Sequence, residues 1–586
     1  MKSIRKLAII GIGPRGLFAF ENLLINLYKR NSLQKIQLLL FEETKNLGNG
    51  PVYEIQQIRS NWINISERIL DLEERESFTH GPLEIPPFPS FHEWSKKNHA
   101  LFSKELPDIY PPRNYVGMYL NQRFDSLFEP LKKSNIISLV IQRVDRIEMK
   151  DHELILQTNQ NELYTVDEIL LTIGHQPARL SNQIKKWQSF AEKHNHIQLI
   201  IAPYPTDLFL QMEQIKPKNT VALRGFGLAM IDVARAIAEK FGAFVTQDNA
   251  SKSLYYKSDF NLKNLIVPFS LDGLPPSPKP LNAQIDQWFT PTEKELLVFE
   301  QILGNTEKQK KAKGISFLID EIVPVIAKIY RSLPLFAGKG EITIPEIEEV
   351  TTAWLNDSNY EHLTITPRQQ PAEKIMQNFV QMAIGKGTVS LDFCIGQVWR
   401  HCQPSIYKAL SFNECSKEVF AEIINLDERM KRYSYGPPVE SIQQLLALVE
   451  AEVMNLTFVN DPSINLTKKG WILSAEDASI TAQTMINTVL DSPRLESVSS
   501  PIIKNLLSND LIQAVHDDLG VYTDSNGYVV SQKKNEILPI ALLGRLAKGT
   551  IIGVDAILEC FGDRPKQWAF KAAERHTDWL ISNTCD

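Results

Sequence analysis

Along the chain the apolar positions change rhythm, and each rhythm predicts a different element. Ile4 to Ile10 is a nearly solid apolar run with basic residues only at its start, as in a strand buried on both faces. It breaks at Gly11 and gives way to LFAFENLLINLYKR, where Leu17, Phe20, Leu24 and Leu27 recur at helical spacing. A second solid run follows at Ile36–Phe41. Near 137–166 the pattern becomes short alternations of apolar and polar residues bounded by Asp, Asn and Gln, which predicts a meander of β-hairpins. Residues 167–175, DEILLTIGH, read as a strand ending at Gly174. Residues 220–224, TVALR, then open a second strand–glycine–helix series through IDVARAIAEKFG.

The second half has a different texture. Residues 263–283 carry Pro268, Pro275, Pro276, Pro278 and Pro280 and read as an extended surface crossing. Thr292 and Glu295 form a capping box ahead of Leu296, Phe299 and Leu303, and helical character continues to residue 432. Gly436-Pro437-Pro438 breaks the chain, with Ser441 as the expected N-cap of the next helix. Residues 471–530 mix short strands with a helix over PIIKNLLSNDLIQAVHDDLG, and Asp524-Ser525-Asn526-Gly527 is a hairpin turn. A late apolar strand, Ile537 to Leu543, ends in Gly544-Arg545, and a helix is expected over VDAILECFG.

Composition narrows the class. The 586 residues carry 63 Lys+Arg against 69 Asp+Glu, a formal charge of −6, and 43% are hydrophobic. That is a folded, mildly acidic chain without the basic surplus of a nucleic-acid binder. Cys394, Cys402, Cys415, Cys560 and Cys585 are too scattered for a disulfide framework, and Cys394, His401 and Cys402 lack zinc-site spacing. No stretch reaches the roughly 18 apolar residues of a membrane span. The expectation is a soluble cytoplasmic protein, without metal, membrane or nucleic-acid partner and with the oligomeric state open.

The candidate chemistry sits at the ends of the first strands. Gly11-Ile12-Gly13-Pro14-Arg15-Gly16 is G-x-G-x-x-G between a strand and a helix. Gly11 allows the tight turn, Gly13 lets a pyrophosphate approach the backbone, and Gly16 lets helix and strand pack closely. Glu42, at the end of the next strand, is where a ribose would be gripped. In the second unit, Gly225 and Gly227 repeat the motif, but Met230 takes the third glycine position. The stretch after its helix, AFVTQDNASKSLYYKSD, offers no clean acid for NAD and no arginine for NADP; Lys252 and Lys257 are its basic candidates, and the nucleotide stays unassigned.

A βαβ unit, an inserted meander and a returning strand ending in Thr-x-Gly are how two-dinucleotide flavoproteins are built. The chain resembles the FAD/NAD(P)-binding proteins grouped with the HpyO-type urate hydroxylase and the CreE-type aspartate N-monooxygenase. The resemblance rests on Gly11–Gly16 with Leu17; on Gly50-Pro51-Val52-Tyr53 and Asn64; and on Tyr110-Pro111-Pro112-Arg113 with Gly117, Tyr119 and Leu120. Leu171–His175, and Gly225-x-Gly227-Leu228 with Asp232, complete the set. The similarity is strongest over residues 4–235 and looser beyond.

This resemblance implies an α/β, two-dinucleotide-binding flavoprotein built of Rossmann-like units, with an inserted β-meander and a large mainly helical insertion. The expected divisions are an FAD-binding part at 1–180, a second nucleotide-binding-like unit at 181–290, a helical cap or substrate region at 291–435, and a C-terminal part at 436–586 returning to the FAD domain. It further implies FAD reduced by NADPH or NADH and reacting with oxygen. Gly11, Gly13, Pro14 and Gly16 would face the FAD pyrophosphate, Glu42 the ribose, Asn64 the region near the flavin, and Gly174 the cofactor's flank. Gly544 and Gly553, with Gly549, are candidates at the late loop that returns to the flavin. Arg113 is a candidate for an anionic group or else an ion pair between segments. His175 is a candidate for proton traffic or else a structural histidine.

The expected function is an FAD-dependent, NAD(P)H-dependent monooxygenase hydroxylating a small polar amine or heteroaromatic substrate with oxygen. Two alternatives stand beside it. One is a flavin dehydrogenase or oxidase without a nicotinamide site. The other is a non-catalytic FAD-binding regulatory or interaction protein.

Overall fold

The computed structural model describes residues 4–583 apart from 82, 97–102, 135, 151–152, 491–493 and 534; Cys585 lies outside the described residues. The first strands in chain order are β1 (Arg5–Ile10), β2 (Ile36–Phe41), a small hairpin of β3 (Phe78–His80) and β4 (Leu83–Ile85), and β5 (Ile137–Val140). The meander β6 (Val144–Lys150), β7 (Glu153–Thr158) and β8 (Leu163–Val166) leads to β9 (Glu168–Leu171). Next come β10 (Gln198–Ile200), β11 (Val221–Arg224), the hairpin β12 (Ala243–Asp248) and β13 (Ser253–Lys257), and β14 (Ile266–Phe269). Beyond the helices lie a second meander, β15 (Ser463–Thr467), β16 (Gly470–Ala475) and β17 (Ala478–Ala482), then β18 (Thr484–Asn487), β19 (Tyr528–Val530) and β20 (Ile537–Leu542).

Two sheets carry the architecture. The first runs β19-β20-β9-β1-β2-β5, parallel throughout except for β19. Strands β1, β2 and β9 are the solid apolar runs, and a parallel sheet covered on both faces needs that composition. The helix Pro14–Lys29 covers one face with Leu17, Phe20, Leu24 and Leu27, each at most 1% exposed. The helix Asp563–Ser582 shares that core through Trp568, Ala569, Ala572 and Ala573. The meander β6–β8 covers the other face. Between the helices, Glu21 accepts from Arg123 at 2.6 Å and from Arg75 at 3.0 Å, fixing the helix Arg113–Lys132 against the first.

The second sheet is fully parallel, in the order β10-β18-β11-β14. Its helix, Leu228–Phe241, buries one face in a core shared with helices from Glu293–Leu303 through Val439–Glu450. The chain therefore forms two dinucleotide-binding sheets and a large helical region, a two-dinucleotide-binding α/β fold.

Several local expectations are corrected. The proline-rich stretch 263–283 is not a surface crossing. It contains β14, and Pro275, Pro276, Ser277 and Pro278 are buried between the second sheet and the helices, where proline's lack of an N–H costs nothing. Ser441 is not an N-cap: Pro438 holds that position, and the Ser441 hydroxyl, inside the helix, accepts from Arg235 at 2.7 Å. The helix expected over 501–520 ends at Ser508, and the one over VDAILECFG shortens to Ile557–Cys560. The capping box of Thr292 and Glu295 and the turn before Tyr528 form as expected.

Candidate functional site

The G-x-G-x-x-G turn is built by close approach. Gly11, at φ +93°, leaves no room for a side chain, because a Cβ there would lie 2.6 Å from the Thr172 carbonyl oxygen at the end of β9. A Cβ on Gly16 would lie 2.1 Å from the Gly11 oxygen, and the Thr172 hydroxyl closes the triangle by donating to that oxygen at 2.6 Å. Gly13 differs: a Cβ would meet nothing nearer than the Gly50 Cα at 3.7 Å. Gly13 caps the helix, Pro14 occupies its first turn, and the N-terminal amides are left to a ligand. Gly174, at φ +64°, has no atom within 4 Å of its Cβ position. These are the features of a pyrophosphate cradle, with tight packing beneath and open backbone above.

Glu42 reaches into this turn. Its carboxylate accepts from the Ile12 N–H at 2.8 Å and from the Thr44 N–H and hydroxyl at 3.0 Å, so it sits at the cradle with acceptor capacity to spare for a ribose hydroxyl. Arg15, between the motif glycines, turns the other way and donates to the Val554 carbonyl at 3.3 Å. A Cβ on Gly544 would lie 2.5 Å from its guanidinium, so the loop after β20 closes against the first turn. Gly553 packs on the Tyr407 ring, whereas Gly549 packs on Leu519 and Val515.

The Tyr407 hydroxyl meets that of Tyr435 at 3.4 Å, and the Tyr435 carbonyl accepts from Asn64 at 3.3 Å. Asn64 thus lies at the junction of the first domain, the C-terminal loop and the helical region. His175 lies on the exposed stretch after β9.

Five titratable side chains are partly buried around this junction. Burial is the leading cause raising the hydroxyls of Tyr53, Tyr110, Tyr204 and Tyr435, and the leading cause lowering the Lys279 ammonium to about 7. Yet each of these residues keeps accessible surface. Glu559, behind Arg15, is raised to about 7 by burial, against the pull of Arg15 and Arg564.

The second unit meets the first through a buried charge network. The Arg113 guanidinium donates to Asp232 at 2.7 Å and stacks on Tyr204, 4.9 Å from the ring centroid. Arg235 stacks on Trp62 at 4.0 Å and donates to the Ser60 carbonyl at 2.6 Å. The second turn also has an open face, with nothing within 4 Å of a Cβ on Gly227, while Gly225 at φ +123° is pressed against Thr488. Met230 is fully buried in the core shared with the helices.

Hairpin β12–β13 pairs only with itself among the described strands, so Lys252 and Lys257 lie off the sheet, and β14 takes the place beside β11. Just past β14, a cavity of about 100 Å³ is lined by Asp272, Leu274, Arg368, Arg429 and Arg432 among others. Arg432 pairs with Asp272. Arg368 and Arg429 donate to the carbonyls of Ser358 and Leu355, and neither has a carboxylate within 4 Å among the described residues. The buried Nε of Arg429 has no partner.

Sequence reading missed Lys279, Arg235, Tyr204 and Tyr435. Their only signals were a lysine inside a proline run and aromatics without a motif. Among the described residues no three His, Cys, Asp or Glu side chains are grouped to hold a metal, and no helix is long and apolar enough to cross a membrane.

Comparison with known proteins bears on the same region. Residues 8–176 match the family model described as FAD-NAD(P)-binding, so the chain carries an FAD-NAD(P)-binding domain. The uncharacterized protein YdhS of Escherichia coli K12 is 21% identical over 545 residues, spanning 88% of this chain and 89% of its own. An L-aspartate N-monooxygenase (nitrosuccinate-forming) of Streptomyces davaonensis is 25% identical over 267 residues, 41% of this chain and 39% of that protein. The crystal structure of L-lysine 6-monooxygenase from Pseudomonas syringae superposes with a TM-score of 0.47 at 13% identity, covering 97% of this chain and 99% of that one.

Proposed function

With an FAD-NAD(P)-binding domain joined to a second dinucleotide unit by a buried charge network, we propose that this chain is an FAD-dependent, NADPH-oxidising monooxygenase of a small polar amine. The carrying observation is the junction itself, where the Gly544 loop closes on Arg15 of the first glycine turn and Arg113 of the first domain pairs with Asp232 of the second unit. The similarity to an L-aspartate N-monooxygenase supports the amine over a heteroaromatic ring.

When bound, FAD supplies acceptance of a hydride from the nicotinamide and activation of oxygen. In the overall reaction, NADPH, a proton, oxygen and the amine become NADP, water and the hydroxylamine, so one oxygen atom enters the N–H bond and the other leaves as water. The chain's own residues do the rest. The amides after Gly13 and the Glu42 carboxylate hold the pyrophosphate and ribose ends. Arg15, held by Val554 and Gly544, brings positive charge to the flavin side of the cradle. The tyrosines around Asn64 enclose the reacting space and keep bulk water out.

The arginines beyond β14 favour NADPH over NADH. In a Rossmann unit the strand beside the glycine strand ends at the adenosine ribose, and an arginine there accommodates the 2′-phosphate. Arg368 and Arg429, without carboxylate partners in that cavity, supply this charge.

The test is the visible spectrum of the purified, FAD-loaded protein under anaerobic NADPH, then NADH, followed by air. The reading requires a bound flavin that bleaches with NADPH and recovers with oxygen. A flavin that neither nucleotide bleaches, with amines present, leaves a dehydrogenase or oxidase. Failure to bind FAD leaves the non-catalytic reading.

A further inference from the structure

Lys279 is a cation placed inside the molecule without a counter-ion. Its neighbours Ser277, Pro278 and Pro280 are buried, and its ammonium donates to the Asn64 carbonyl. Among the described residues no carboxylate lies within 4 Å of it. The acids that act on it from farther away, Asp286 and Asp108, are taken by other partners. Asp286 binds Arg400 and, at 3.1 Å, His401, while Asp108 holds Arg68 through two hydrogen bonds of 2.8 and 3.0 Å.

Lys279, Arg400 and Arg68 therefore set three basic side chains against two carboxylates in one partly buried cluster. Burial and Arg400 lower the pKa of His401. An uncompensated buried ammonium is costly unless an anion arrives to pair with it. Burial, reinforced by Arg400, lowers Lys279 to about 7, which is the signature of that missing partner.

Its place is at the cofactor junction. Asn64 joins Lys279 to Tyr435, Tyr435 meets Tyr407, and Tyr407 carries Gly553, next to the Val554 carbonyl that accepts from Arg15 of the glycine turn. We infer that Lys279 anchors a carboxylate of the substrate, so that the chain acts on an amino acid rather than a neutral amine or a heteroaromatic ring. The inference rests on the monooxygenase reading and adds to it the substrate class and the anchoring residue.

The test compares the FAD-loaded wild type with Lys279→Met and Lys279→Arg. Three probes are titrated against the flavin absorbance: L-aspartate, succinate as a carboxylate without an amine, and propylamine as an amine without a carboxylate. The expected result is binding of L-aspartate and succinate but not propylamine by the wild type, weakened about tenfold or more in Lys279→Met and retained by Lys279→Arg. The urea midpoint of Lys279→Met stays equal or rises, since an unpaired buried charge is gone. Equal carboxylate binding by wild type and Lys279→Met overturns the inference, as does no carboxylate binding by the wild type. Loss of NADPH bleaching in the wild type, with Lys279-dependent carboxylate binding intact, overturns the monooxygenase reading and leaves the anchor standing.

Discussion

The Asp232 carboxylate receives the Arg113 guanidinium at 2.7 Å and the Tyr204 hydroxyl at 2.6 Å on the same oxygen, which bolts the helix Arg113–Lys132 of the FAD domain to the helix Leu228–Phe241 of the second unit. Asp232→Asn leaves the buried cations Arg113 and Arg235 short of charge. Removing one partner of a buried pair costs about 3–5 kcal/mol. A lowered urea midpoint is the expected outcome, and an unchanged midpoint would mean the joint is held elsewhere.

Two glycines of one motif are expected to fail differently. Gly13→Trp fits the backbone, which has φ −79° and no close neighbour, so the protein folds but its cradle is filled. Circular dichroism should be native and the flavin band absent after incubation with FAD. Gly16→Ala drives a methyl to 2.1 Å from a backbone oxygen and should cost about 1–3 kcal/mol or prevent folding.

Arg429→Ala and Arg368→Ala should lower kcat/KM for NADPH by about tenfold each while leaving that for NADH nearly unchanged, the loss expected for a charge-assisted hydrogen bond of roughly 1.5–3 kcal/mol. Steady-state kinetics with both nucleotides checks this. A wild type that prefers NADH, or an equal loss with both, contradicts the 2′-phosphate assignment.

Glu559 gives a pH signature. Its folded pKa, about 7, lies above the ordinary 4.5 because burial favours the neutral acid. The folded state then binds the proton more tightly than the unfolded chain. The stability it lends is full below pH 4.5 and is lost as pH rises through 7. Glu559→Gln should flatten that decline in the FAD-free protein, a difference on the order of 2 kcal/mol at pH 7.5, readable from melting temperatures across the range.

What sequence showed and what it hid divide along a physical line. The strand–turn–helix of residues 5–29, β2, the meander and β9 were legible because local pattern and turn chemistry agree with the tertiary structure. β14 was hidden by Pro268, which reads as a breaker although a proline is tolerated in this buried strand at the edge of its sheet. β18, TMIN, was too short to declare itself and gains its place only by pairing with β10 and β11. The cradle glycines could be named from their spacing. Lys279 could not, because what distinguishes it is the absence of a counter-ion, and absence has no pattern along a chain.

The order of strands in the two sheets sets how this protein can be made. The sheet begun by β1 is completed by β20, and inside that interval the sheet carrying β11 waits for β18, so the sites are nested like brackets. During synthesis the first glycine turn emerges early, while the Gly544 loop that closes on Arg15 emerges only after the helices and the second meander. A fragment ending before residue 484 lacks a strand from both sheets, and a fragment of the first unit alone exposes the flank of β9. Each sheet is therefore complete only in a chain that carries both halves.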